Sequence, residues 1–237
     1  MKVAICFFGL HPEETWKNIT KKKDKCLNLW KKNVFDINDC DIFIHSFSKK
    51  KDELLKYKPK DYLFEEEKNS NINFEEIKNL EKIREQKPNH NGWNLSRIKL
   101  NYYISYGMKK SVELMTNYEE TNNFKYDIVL LSRIDVCWLI PLKLNELNTN
   151  KIYSAIWGKN NMHSENGLLG YWLISNSDNM KKIETFYNKQ KEFNMGQLSF
   201  HRIFKKYVLT ITNDIKFKYN NIENNVTHMD LQRYLYK

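Results

Sequence analysis

The chain has 237 residues, of which 41% are hydrophobic and 14% aromatic, and this length and apolar content suit one globular domain rather than a disordered chain. No apolar run approaches the roughly 20 residues of a membrane span, and the apolar stretch at residues 1–10 is too short for a signal peptide, so we expect a soluble cytoplasmic protein. The 39 Lys and Arg residues outnumber the 29 Asp and Glu residues, which would suit an anionic partner, but only five of these cations are arginines, which argues against a dedicated nucleic-acid role.

The amino-terminal half of the chain alternates apolar runs with helical spacing. Val3–Phe8 is almost entirely apolar and ends at Gly9, which predicts a buried strand followed by a turn. Between Trp16 and Val34, apolar residues recur at steps of three and four, which predicts an amphipathic helix. In chain order, we predict strands at 3–8, 41–46 and 62–64 and helices at 12–34, 74–85 and 93–118.

The clearest strand pattern lies near the middle of the chain and leads into two charged residues. Residues 126–132 are typical of a central parallel strand, and Arg133 and Asp135 follow them directly. In chain order, we predict further strands at 151–156, 170–175 and 208–212 and helices at 177–193 and 195–207. This alternation predicts a single α/β domain over residues 1–237, with a mostly parallel, Rossmann-like central sheet flanked by helices.

Residues at the carboxyl ends of the predicted strands are candidates for ligand binding, because ligands of open α/β sheets bind at that edge. They are Phe8, Gly9 and His11 at the first strand, His45 at the second, and Arg133 and Asp135 at the central one. Structural alternatives are a turn for Gly9, a buried structural role for His45, and a surface ion pair for the two charges. The first loop contains neither G-x-G-x-x-G nor G-x-x-x-x-G-K-[ST], which argues against a dinucleotide site and a P-loop ATPase.

Five segments along the chain carry a likeness to known proteins. They are VAICFFG at 3–9, DIFIHSF at 41–47, YKPK at 57–60, FKYDIVLLSRID at 124–135 and YWLISNSDNM at 171–180. In this order, they resemble a group of GT-A-type glycosyltransferases from bacteria and giant viruses. The resemblance implies a GT-A-like fold and an enzyme that transfers a sugar from a nucleoside diphosphate donor to a hydroxyl group of a glycan or glycoconjugate.

The resemblance also implies a way of binding the donor. GT-A enzymes generally hold the diphosphate through a divalent cation on a D-x-D motif, and Arg133-Ile134-Asp135 occupies the corresponding place. Asp135 is then the expected ligand of Mn²⁺ or Mg²⁺, with His228 as a second ligand, and the expected donor is a uridine diphosphate sugar. In the alternative, Arg133 itself neutralises the diphosphate and no metal is needed.

The catalytic base is left open by the sequence. Gly170 stands where the relatives often have an acid, and the nearest acids are Glu165 upstream and Asp178 downstream, either of which could instead be a loop acid or a helix cap. Asp135 is the third catalytic candidate, because with a metal ion it would stabilise the departing diphosphate. The alternative function is a protein of the same fold that binds nucleotides or nucleic acid without catalysis.

Overall fold

A seven-stranded sheet lies at the centre of the computed structural model. The strands are β1 Val3–Phe8, β2 Cys40–Ser46, β3 Asp61–Phe64, β4 Ile128–Arg133, β5 Ile152–Ser154, β6 Trp172–Ser175 and β7 Ile215–Phe217, in the spatial order β3-β2-β1-β4-β6-β5-β7. Within this sheet only β6 is reversed, so the sheet is mostly parallel. Two short strands, β8 Asn220–Asn221 and β9 Val226–Thr227, form a separate antiparallel pair. The structure describes residues 1–15, 23–85, 96–136, 138, 140–154, 167–168, 170–194, 199–217, 220–221 and 226–227.

Helices cover both faces of the seven-stranded sheet. They are α1 Pro12–Thr15, α2 Lys23–Trp30, α3 Lys51–Leu55, α4 Phe74–Glu85, α5 Ser96–Thr121, α6 Ser177–Glu184, α7 Phe186–Asn194 and α8 Phe200–Ile211. A π-helical turn at Lys31–Phe35 continues α2. Side chains of α2 and α3 join the core on one face of the sheet, and those of α5 to α8 join the core on the other.

The burial of β1 explains why helices pack against both faces of the sheet. Val3, Ile5 and Phe7 lie in one core, and Ala4, Cys6 and Phe8 lie in the other. Successive side chains of a strand point to opposite faces, so a strand covered on both sides needs an uninterrupted apolar run. All six residues of β1 are buried, and the apolar run in the sequence is the direct consequence of this position.

The structure confirms the α/β class and the mostly parallel sheet. The helix predicted at 74–85 has the same bounds, and the predicted strands at 3–8, 41–46 and 62–64 match β1, β2 and β3 to within one residue. Other bounds moved: β4 begins two residues later than predicted, and the helix predicted at 177–193 is two helices that meet at Thr185. Among the described helices, none combines the length and apolarity that a membrane crossing requires.

The strand predicted at 208–212 is wrong, because α8 continues through Val208 and ends at Ile211. Ile203 and Phe204 lie about one turn before Val208 on the helix, and all three are fully buried in the core. β-Branched residues favour strands only weakly, and packing of one helical face outweighs that preference. The last strand of the large sheet is instead β7, four residues after the helix ends.

A buried carboxylate joins α5 to the start of β4 and to α6. The side chain of Glu119 is 1% exposed and accepts hydrogen bonds from the Tyr126 backbone N–H at 2.7 Å and the Ser177 hydroxyl at 2.9 Å. It also forms an ion pair with the Lys181 ammonium at 3.0 Å. Because a buried carboxylate is stable only when its oxygens are bonded, these three donors make the junction specific for Glu.

Glu119→Ala is expected to lower the free energy of unfolding by about 2 to 4 kcal/mol, because it leaves a buried N–H and a hydroxyl without their acceptor. Urea unfolding followed by circular dichroism measures this loss. Its exposed neighbour Glu120 is the control, and Glu120→Ala should change stability by less than about 0.5 kcal/mol. Equal losses in the two variants would contradict the assignment.

Candidate functional site at the carboxyl ends of β1 and β4

The centre of the sheet contains the point at which the chain changes direction. From β1 the chain passes outward to β2 and β3 on one side, and β4 lies on the other side of β1. In an open α/β sheet, the loops that follow two such strands lead in opposite directions, and a crevice forms between them. Phe8 of β1 and Arg133 of β4 are partners in register, so the ends of both strands meet there.

The backbone around this switch point is tightly bonded. Ile134 donates its N–H to the Phe8 carbonyl at 3.0 Å. Gly9 has a φ of +100°, a backbone conformation that residues other than glycine rarely adopt. Its carbonyl accepts a 2.6 Å hydrogen bond from the Ser46 hydroxyl. Gly9 therefore acts as the turn residue that leads the chain out of β1, consistent with the structural alternative.

Arg133 and Asp135 form a two-pronged ion pair beside this turn. The Arg133 Nε donates to Asp135 Oδ1 at 2.8 Å, and Nη2 donates to Oδ2. The Asp135 side chain is 2% exposed and that of Arg133 is 27% exposed. Burial lowers the pKa of Arg133, but the charge and hydrogen bonds of Asp135 raise the pKa by more, so the guanidinium is held charged. The two charges thus form a largely buried pair rather than the surface pair considered from the sequence.

Tyr171 and His201 join this site, although the sequence did not single them out. The Arg133 guanidinium carbon lies 4.8 Å from the centre of the Tyr171 ring, and the backbone N–H of Arg133 donates to the Tyr171 backbone carbonyl at 2.8 Å. The ring of His201 lies 5.8 Å from that of Tyr171. These contacts depend on the reversed direction of β6, which brings residues about 40 and 70 positions beyond Arg133 to the same edge.

Gly170 is held too closely for any side chain to be accommodated. A Cβ at this position would lie 2.3 Å from the Cε1 atom of Phe200, which is itself buried in the core. The Gly170 N–H donates to the Nδ1 atom of His201 at 3.1 Å. The start of α8 therefore fills the space that the acid of the resembled family would need.

His45 lies between the sheet and α5, away from the solvent. Its side chain is fully buried, its Nε2 lies 2.8 Å from Glu65 Oε1, and its ring contacts the edges of Phe47 and Tyr106. A Cβ on Gly107 of α5 would lie 3.4 Å from the His45 Nδ1, so the helix is packed directly against the ring. The ring is buried as in the structural alternative, but its Nδ1 has no hydrogen-bond partner within the part of the chain that the structure describes.

His11 lies in the loop after β1 and is 6% exposed. Its carbonyl accepts a hydrogen bond from the Glu14 N–H at 2.9 Å, which forms the first turn of α1. Glu14 in turn accepts from the Ser48 hydroxyl and, at 3.0 Å, from the Lys49 N–H. The loop that carries His11 is thereby joined to the loop that follows β2, at the same edge of the sheet.

The remaining predicted residues do not meet at this edge in the described structure. Asp178 is exposed near the start of α6 and accepts a 2.7 Å hydrogen bond from Lys125, which lowers the pKa of Asp178. Lys125 precedes β4, so Asp178 lies at the opposite edge of the sheet from Arg133. The length of β4, about 16 Å, separates the two edges. Glu165 and His228 lie outside the described residues.

The fit of a divalent cation can be judged from Asp135. Both of its carboxylate oxygens accept hydrogen bonds from Arg133, and a metal ion on the same oxygens would lie against the guanidinium charge. Within the described ranges, no group of three His, Cys, Asp or Glu side chains is placed to hold a metal ion. The Arg133-bound form of Asp135 is therefore a poor ligand for Mn²⁺ or Mg²⁺.

The burial of His45 predicts a dependence of stability on pH. Burial lowers the pKa of His45 from its ordinary value of 6.5, against the opposing effect of Glu65. The unfolded chain therefore takes up a proton at a higher pH than the folded chain, and stability is lost as the pH falls below about 6.5. We expect the Tm to decrease between pH 7 and pH 5, measured by circular dichroism.

His45→Gln, which cannot titrate in this range, should show a smaller decrease in Tm between the two pH values than the wild type does. An unchanged decrease in the variant would show that other groups are responsible for the pH dependence.

Comparisons with known proteins do not assign a family. A scan against models of protein families gave no match to this chain. A search of curated proteins also gave none.

Proposed function

We propose that this protein is a glycosyltransferase that binds the diphosphate of a nucleotide sugar through Arg133 and transfers the sugar to a hydroxyl group of a glycan or glycoconjugate. The observation that carries the proposal is the position of Arg133, a charged and largely buried guanidinium at the switch point between β1 and β4. Buried cations at this edge suit an anionic ligand, and the edge is the usual ligand site of open α/β sheets. The five segments that resemble GT-A enzymes support the same reaction.

The geometry of Arg133 suits the charge that develops during sugar transfer. As the bond between the sugar and the diphosphate breaks, negative charge accumulates on the leaving oxygen. A guanidinium held in advance by Asp135 and Tyr171 can stabilise that charge without reorganising. Asp135 uses two of the five guanidinium N–H groups, and the other three suffice for phosphate oxygens.

In this proposal, Arg133 rather than a metal ion neutralises the charge of the diphosphate. The sequence left both possibilities open, and the two-pronged pair favours the metal-independent one, because the guanidinium charge beside Asp135 would repel a metal ion on the same oxygens. Asp135 then orients Arg133 and keeps it charged. The acceptor hydroxyl must also lose its proton to a base, and Glu165 is the sequence candidate for that role, because Asp178 lies at the opposite edge of the sheet.

Arg133→Ala is expected to reduce donor turnover by about 10- to 100-fold, which corresponds to the loss of about 1.5 to 3 kcal/mol from a charged hydrogen bond. EDTA should leave the wild-type rate unchanged. Turnover is measured as release of nucleoside diphosphate, and the Tm of each variant is recorded so that the rate refers to folded protein.

The control is Lys125→Ala, which removes an exposed cation at the opposite edge of the sheet and should leave the rate unchanged. Loss of the wild-type rate in EDTA, with recovery on addition of Mn²⁺, would restore the metal-dependent alternative. Full activity of Arg133→Ala would remove this site from the proposal.

The expected donor is a uridine nucleotide, and thermal shift measurements can test this separately from turnover. Uridine diphosphate should raise the Tm more than adenosine diphosphate at equal concentration, because only a ligand that binds the folded state increases apparent stability. An equal or larger effect of the adenine nucleotide would contradict the uridine assignment. Stabilisation without any hydrolysis or transfer of uridine diphosphate sugars would favour the non-catalytic binding protein.

A further inference from the structure

The backbone on both sides of Asp135 is held by neighbouring elements. Before it, Ile134 donates its N–H to the carbonyl of Phe8 in β1 at 3.0 Å. After it, the carbonyl of Val136 accepts a 2.6 Å hydrogen bond from the indole N–H of Trp30 in α2. The Cys26 thiol, one turn earlier in α2, lies 3.5 Å from the same Val136 carbonyl. Between these two groups, the Val136 N–H donates to the Arg133 carbonyl at 3.3 Å and closes a turn over residues 133–136. Asp135 thus lies in a short turn whose two ends are bonded to neighbouring elements.

The orientation of the Trp30 indole is itself strongly constrained. The side chain is fully buried, its ring meets the edge of Phe7 at 4.7 Å, and it stacks against Phe35 at 5.8 Å. Indole N–H is a donor only, and a buried donor needs an acceptor. The Val136 carbonyl supplies that acceptor, so the ring cannot rotate without losing both its packing and its hydrogen bond.

Farther from Asp135, two asparagines bind the same stretch of backbone. Asn33 donates its amide to the Trp138 carbonyl at 2.6 Å, and Asn38 donates to the Leu142 carbonyl at 2.7 Å. The Asn38 amide oxygen also accepts from the Leu144 N–H at 3.0 Å. These bonds are buried like that of Trp30 but lie three to nine residues beyond Asp135. The chain therefore offers matched contacts near the ion pair and far from it.

We infer that Trp30 is a positioning residue, which holds the Val136 carbonyl at the end of the turn 133–136 so that the Asp135 carboxylate meets Arg133 with both oxygens. Without the indole N–H, the Val136 carbonyl would lose its 2.6 Å donor and keep the longer contact with the Cys26 thiol. The end of the turn could then shift, and the pairing of Asp135 with Arg133 would loosen. The consequence for donor binding rests on the proposed function, whereas the consequence for the ion pair does not.

The ion pair can be observed directly by nuclear magnetic resonance of the arginine Nε–H groups. The Arg133 signal is assigned by its absence in Arg133→Ala, and hydrogen bonding to Asp135 should protect it from exchange with solvent. In Trp30→Phe, which keeps an aromatic ring but lacks the donor, we expect this protection to be lost. In the control Asn38→Ala, which removes two buried hydrogen bonds farther along, we expect it to remain.

A second variant separates the hydrogen bond from the packing of the ring. Site-specific replacement of Trp30 by 3-benzothienylalanine keeps the bicyclic shape and puts sulfur in place of the N–H. It should also lose the protection of the Arg133 signal, and this variant decides the question if Trp30→Phe does not fold. An Arg133 signal that stays protected in the analogue, or that is lost equally in Asn38→Ala, would overturn the inference.

Affinity for uridine diphosphate, measured by calorimetry on the same proteins, connects the ion pair to the proposed function. We expect affinity to fall about fivefold in the Trp30 variants and to be unchanged in Asn38→Ala. If the wild type does not bind the nucleotide, the proposed function fails, and the Arg133 signal still decides whether Trp30 positions Asp135. Unchanged affinity in variants that have lost the protected signal would overturn the link between positioning and binding.

Discussion

The parallel pairing of β1 with β4 is the constraint on which the rest of this structure depends. β1 is buried on both faces and bonded on both edges, so it determines where the two helical layers and the neighbouring strands can pack. The same pairing brings the end of β1 next to Arg133 and allows Ile134 to bond back to Phe8. The site is therefore a continuation of the most buried part of the sheet.

A largely buried ion pair is costly unless it is fully bonded, and the Arg133–Asp135 pair shows how that cost is reduced. Two hydrogen bonds join the charges, and the Tyr171 ring lies against the guanidinium. Pairs of this kind contribute little net stability compared with apolar packing. The position of this pair at the carboxyl ends of β1 and β4 suits the proposed role of Arg133 as a charged, oriented group.

The helix α2 connects this charged edge to the apolar core on one face of the sheet. The Trp30 ring packs against Phe7 and Phe35, while the N–H of its side chain bonds the carbonyl of Val136, the residue after Asp135. One side chain thus takes part in both core packing and the backbone of the site. A change in the core at this point would therefore act on the end of the turn that carries Asp135.

The amino-acid sequence by itself determined the α/β class, the buried strands and the placement of Arg133 and Asp135 beyond a central strand. These properties are local, because an apolar run or a step of three and four residues records which faces of an element are buried. The predicted bounds of helices and strands differ from the structure where local propensity and packing disagree. Val208 is an example, because it lies in a helix whose residues one turn earlier are buried.

Only the tertiary structure decided which side chains meet. Tyr171 reaches Arg133 because β6 is reversed, His45 is turned toward Glu65 and α5, and Trp30 bonds a carbonyl 106 residues away. The structure also put Asp178 at the opposite edge from Asp135. Such contacts depend on strand order, strand direction and the packing of distant elements, and no spacing within a single segment records them.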